Sequence, residues 1–237
     1  MLNKKGQADQ YNWVFILVSG VIFLTFLVGF ALKYVDLNED KNSVKIEFAI
    51  DEIIESAKSQ EQYRLFSVPD KSFNLLYTCK FDGESKLSIG SQPGIQVQDI
   101  VFVENQKYKD LIVWSNKFKQ PYYIANLVYL IDKDKKYFFT YDVEVPNIVN
   151  IVDNINEADV VVALNQDVWW DDENVYYKTG EVFRINDLNE DSVKLGAVFS
   201  SPELFKCNLD KLRAKRNYVD TIYEIKRDAL TGCNYNV

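Results

Sequence analysis

The stretch WVFILVSGVIFLTFLVGFAL, Trp13–Leu32, runs for 20 residues without a charged side chain. Coiled into an α-helix, a segment of that length spans about 30 Å, the thickness of a bilayer's hydrocarbon core. Water is absent there, so every backbone amide must be satisfied within the segment itself, and helix is the one single-segment solution. Tyr11 and Trp13 at one end and Tyr34 at the other suit the two interfaces. The reading divides the chain into a leader (1–12), a transmembrane helix (13–35), a membrane-proximal acidic linker and helix (36–60) and an extracytoplasmic domain (61–237).

The flanks set the orientation. Lys4 and Lys5 precede the span, whereas Asp36, Glu39 and Asp40 follow it with only Lys33 beside its end. Counting positive charge on each side places the N-terminus in the cytoplasm and the large domain outside. The alternative is a cleaved secretory signal, with Gly29-Phe30-Ala31 as a small-x-small site. Its apolar run exceeds the usual length of such segments.

Lys4-Lys5-Gly6-Gln7 and the helix after it resemble the processing site of archaeal class III signal peptides, those of prepilins and archaellins. The resemblance implies cleavage after Gly6 on the cytoplasmic side and a mature chain starting at Gln7, whose helix anchors it or packs in a filament core. Gln7–Asn12 is polar, and the fifth mature position is Tyr11 rather than the glutamate that many bacterial pilins carry. The Lys/Asn/Ile/Tyr-rich composition also resembles that of membrane-anchored proteins from AT-rich archaeal genomes.

Beyond the span, the chain should form an α/β or α+β domain: a mixed sheet with a long C-terminal helix. Ile46, Ile50, Ile53, Ile54 and Ala57 have helical spacing, yet Val44–Ile50 also alternates like a strand, so both states stay open there. Strands are expected over 73–81, 86–89, 95–104, 111–115, 123–131 and 136–142, with turns at Asp82-Gly83, Gln92-Pro93-Gly94 and Asp132-Lys133-Asp134. A β-α-β sequence is expected next: Tyr137–Tyr141, a helix over Pro146–Ile155, and the unbroken apolar run Asp159–Leu164. A hairpin of Val175–Tyr177 and Glu181–Ile185 follows, then a strand over Val193–Phe199. The last helix starts at Ser201-Pro202-Glu203 and carries the stripe Phe205, Leu209, Leu212, Val219, Ile222, Ile225 and Ala229, which should pack on a sheet, with Gly232 at its end. Asp-Leu-Asn-Glu-Asp occurs at 36–40 and at 187–191, and reads as a recurrent acidic loop composition.

Composition excludes more than it assigns. The chain has no histidine, which removes every mechanism built on imidazole, Ser-His-Asp and Cys-His arrangements among them. No catalytic residue, metal-ligand set or cofactor is expected. Residues after 35 carry 24 basic and 34 acidic side chains, an imbalance that repels phosphate backbones and argues against nucleic acid as a partner. The basic stretch Lys206–Arg216 reads as a solvated helix face. Asp36, Asn38, Asp40 and Glu47 match positions of a calcium loop, but Lys41 stands where the sharp turn needs glycine. The candidate binding loop is Asp167, Trp169, Trp170, Asp171, Asp172 and Glu173, two large rings among four carboxylates, the side chains a glycan-binding site uses. Of three cysteines, Cys79 can pair with Cys207 or Cys233, a broken helix can bring Cys207 to Cys233, or all three remain thiols. The expected function is that of a single-pass, membrane-anchored surface protein of pilin-like type. It would have a structural or interaction role, with the lipid bilayer and other envelope proteins as partners. The alternative is a ligand- or glycan-binding module presented at the membrane.

Overall fold

A computed structural model describes residues 4–231 except 61, 69–71, 83 and 91, with the backbone alone at 4–12, 35–40 and 231. The chain divides into two units, Met1–Lys45 and Ile46–Val237. The first helix, α1 (Lys4–Gln60), is continuous for 57 residues and resolves the ambiguity at 44–50 in favour of helix. The acidic residues 36–40 are helical too, so neither a loop nor a calcium-binding turn forms there. Within α1, Trp13–Tyr34 has a mean hydropathy of 2.7 and none of it is buried.

The second unit contains fourteen strands and two further helices among the described residues. In chain order the strands of its first half are β1 (Arg64–Ser67), β2 (Phe73–Thr78), β3 (Ser85–Ile89), β4 (Ile95–Val97), β5 (Ile100–Val103), β6 (Gln106–Tyr108), β7 (Asp110–Lys119) and β8 (Tyr123–Asp132). Those of the second half are β9 (Lys136–Phe139), β10 (Asn150–Ile151), β11 (Val160–Val162), β12 (Val168–Trp170), β13 (Asn174–Tyr177) and β14 (Val182–Arg184). The helices α2 (Asp191–Val198) and α3 (Pro202–Thr231) follow the strands.

Three sheets result, with strand orders β1-β7-β8-β5, β10-β9-β11-β12-β13-β14 and β4-β3-β2-β6. The first is the middle layer, and its alternation explains the core. Val101, Val103, Leu111, Val113, Val128 and Leu130 point to one side, where they meet Leu75, Tyr77, Leu87 and Ile89 of the third sheet and Ile50, Ile54 and Ala57 of α1. Ile100, Phe102, Ile112, Leu127, Tyr129 and Ile131 point to the other side, onto the second sheet, α2 and Phe205, Leu209 and Leu212 of α3. A strand buried on both faces loses polar alternation, as β5 (IVFV) does. The fold is α+β, with one parallel pair (β5–β8) in the first sheet, parallel pairs β10–β9, β9–β11 and β11–β12 in the second, and antiparallel pairing elsewhere.

Several expectations are corrected. The strand 95–104 breaks at Gln98-Asp99 because its halves serve different sheets. Pro146–Ile155 is not a helix. Its β-branched residues lose rotamer freedom in a helix, and its asparagines compete for backbone hydrogen bonds. The segment turns at Val149, pairs through β10 with β9, and ends in a 3-10 turn, Ile155–Glu157, capped by Asn154. The parallel β9–β11 pair forms without an intervening helix. Val193–Phe199 is helix rather than strand: α2 lies over Phe102, and Gly196 lets the backbone approach that ring closely. Finally, α3 outruns the sheet. Past Leu212, the expected stripe positions Ile222 and Ile225 are exposed by 43% and 65%.

Candidate functional site

The segment singled out in the sequence is not a loop. Val168–Trp170 is strand β12, held between β11 and β13, and only Asp171–Glu173 turn outward. Register places Trp169 opposite Tyr176, and their rings stack at 5.4 Å with 3° between planes. The next residue of a strand points to the other face, so Trp170 packs on the core and stacks on Tyr141 at 4.7 Å. One face of each indole is therefore covered by a tyrosine.

The carboxylates serve the local backbone. One oxygen of Asp171 accepts from the Glu173 and Asn174 amides at 2.8 and 2.7 Å, and the other accepts from the Tyr176 hydroxyl at 2.7 Å. The Tyr176 hydroxyl and those amides hold the Asp171 carboxyl below its ordinary range. Asp167 accepts from the Val161 amide at 2.9 Å and from the Lys178 ammonium at 3.1 Å. Asp172 and Glu173 are exposed. Among the described residues no three acidic or cysteine side chains gather as a metal site.

The unexpected constellation lies on α3. Cys79, just past β2, is disulfide-bonded to Cys207 across 128 residues of sequence. That settles one of the pairings open in the sequence. Cys233 and Gly232 lie outside the described residues, and Gly6 and Gln7 fall where only the backbone is described. Beside the disulfide, Asn208 is fully buried; its amide donates to the Val101 carbonyl at 2.5 Å, and its carbonyl accepts from the Tyr77 hydroxyl at 3.3 Å. One turn on, Lys211 is 8% exposed and donates to the fully buried Ser85 hydroxyl at 2.8 Å. Burial, with Lys215 one turn further along, pushes the Lys211 ammonium down to about 8. The Tyr77 phenol goes the other way, to about 12, again chiefly through burial. Ser85 and Lys211 form a hydroxyl–amine pair, but the hydroxyl is sealed from solvent and also accepts from the Lys80 amide at 3.2 Å. The pair ties α3 to β3.

This overturns part of the solvated-face reading of Lys206–Arg216. Lys206 is exposed, yet Lys211 is inside, and Arg213 reaches Asp187 at 3.0 Å. The sequence did carry a signal. Asn208, Lys211 and Lys215 follow at spacings of three and four beside Phe205, Leu209 and Leu212, so they share the inward half of the helix.

The chain thus combines one exposed apolar helical segment, of the kind an anchor or a signal provides, with a disulfide-bonded α+β domain. Such a bond persists outside the reducing cytoplasm. No protein-family model, curated protein or solved structure matches the chain.

Proposed function

We propose that the chain is a single-pass, membrane-anchored surface protein that acts through contacts with other envelope proteins, as a pilin-like subunit does. One observation carries this reading. A single uninterrupted helix contains both an apolar stretch long enough to cross a bilayer, Trp13–Tyr34, and residues Ile50, Ile54 and Ala57, which are part of the domain's own core. A signal segment destined for removal has no need to continue as a core element. The resemblance of Lys4-Lys5-Gly6-Gln7 to a class III processing site supports the same reading. So does the disulfide, which suits a domain outside the cytoplasm. The acidic balance after residue 35 disfavours nucleic acid. A structural role also fits the segment 167–173, in which the Asp167 and Asp171 carboxylates serve the local backbone and one face of each indole stacks on a tyrosine.

Sequencing the N-terminus of the protein recovered from membranes tests this. A start at Gln7 supports the pilin-like reading. Retention of Met1 in the membrane fraction leaves anchoring and removes the pilin-like part. A start just after Ala31, with the product in the medium, overturns anchoring altogether.

A further inference from the structure

A cavity of about 340 Å³ opens where α3 passes β4 and the segment before β3, lined by Phe81, Glu84, Val97, Lys211 and Lys215 among others. Its two lysines are one helical turn apart. Lys211 is more than nine-tenths buried, and its ammonium, with three protons to donate, has the neutral Ser85 hydroxyl as its hydrogen-bond partner. Lys215 donates to the Gln98 carbonyl at 2.7 Å. Neither forms an ion pair among the described residues, and Asp99, whose charge acts on both, is already paired with Lys58 at 2.8 Å. Buried charges are ordinarily paired, because a lone desolvated ion is expensive. Here two cations repel each other beside an open cavity, and the missing partner is an anion.

We propose that this cavity binds a small monocarboxylate, its carboxylate held between Lys211 and Lys215 and its apolar body resting on Phe81 and Val97. The cavity's own acid selects the charge. Glu84 lines the same wall and is hydrogen-bonded to the Gln96 amide. It repels a doubly charged phosphate or sulfate more than a single carboxylate. The volume admits a benzoate-sized acid or the last residue of a peptide chain, two sources that share this chemistry.

The test uses the full chain in neutral detergent micelles, titrated with 4-fluorobenzoate and followed by fluorine NMR. Saturable binding is expected, with a Kd of about 1 mM or below. Lys211→Met weakens it by about tenfold and Lys215→Gln by about threefold, while neutral 4-fluorobenzamide shows no difference between wild type and variants. The Ser85 hydroxyl accepts from Lys211, Lys215 and Glu84 line the cavity with it, and Asp99 acts on both lysines; burial pushes the Lys211 ammonium down to about 8 and lowers that of Lys215 too. Wild-type binding therefore weakens by about tenfold between neutral pH and about pH 10. A phenylalanine-terminated dipeptide and its amide separate the sources. A free-acid peptide tighter than fluorobenzoate assigns the site to a chain terminus, and the reverse order to a free organic acid. Absence of saturation up to about 10 mM, equal binding to the variants, or binding that ignores pH each overturns the proposal. Should Lys211→Met fail to fold, Lys215→Gln and the wild-type pH profile still decide.

Discussion

Among the described residues, Lys211 and Glu47 are the two charged side chains more than nine-tenths buried, one from α3 and one from α1. They predict opposite consequences. The Lys211 ammonium has a folded pKa of about 8 against 10.5 for an exposed lysine. Between those values the unfolded chain holds more protons, so stability rises with pH. Tyr77, raised to about 12, has the contrary sign: above about pH 10 the unfolded chain loses the phenolic proton first, and stability falls. Urea denaturation should therefore show a stability maximum near pH 10. The gain from pH 8 should be about 1–2 kcal/mol once solvent screening is allowed for, and it should shrink in Lys211→Met to the share carried by Lys215, whose ammonium burial also lowers. Glu47 instead accepts from the Ile89 amide at 3.0 Å and satisfies that N–H inside the core. Glu47→Ala should destabilise by about 1–3 kcal/mol in the same assay, with Glu47→Gln recovering most of the loss, since an orphaned buried amide forfeits its solvation.

Among the elements, α2 shows where reading a sequence reaches its limit. Val193–Phe199 is apolar nearly throughout, and a buried strand and a short buried helix give the same pattern. What decides is Gly196, at which an added Cβ would sit 2.5 Å from the Phe102 ring. Gly196→Ala should lower stability by about 1–3 kcal/mol, measured by denaturation, through displaced packing and in spite of alanine's better helix propensity. By contrast, α3's start at Pro202 was legible from Ser201-Pro202-Glu203, and the hairpin β13–β14 from Thr179-Gly180. Both rest on local chemistry carried by the residues themselves. The pairing of Cys79 with Cys207 and the bond of Lys211 to Ser85 were not legible, although the spacing of Lys211 put it on the inward half of α3. Each partner depends on which helix face meets β2 and β3, more than a hundred residues away in sequence. The acidic and aromatic residues at 167–173 were visible, but not that a strand would send Trp169 and Trp170 to opposite faces. Removing the disulfide with Cys79→Ser should cost about 2–5 kcal/mol in non-reducing denaturation, as expected for a bond closing so long a loop.

At the scale of the whole molecule, one helix contributes to two environments. If Trp13–Tyr34 spans the bilayer as proposed, Leu24→Arg at its middle should cost about 2.5–3.5 kcal/mol of insertion, read as a shift from membrane to soluble fraction. A full-length, uncleaved chain that stays monomeric in buffer without detergent would end that reading. The domain's core also has an order of assembly written into it. Phe205, Leu209 and Leu212 cover Phe102 and Tyr129, and they follow the whole central sheet in chain order. While the chain is still emerging from the ribosome, that face of the central sheet is bare and Cys79 has not met its mate. A nascent chain in transit therefore carries an uncovered apolar surface until α3 has emerged, the condition under which aggregation competes with folding. Chaperone demand should fall on the stage between the emergence of the central sheet and that of α3.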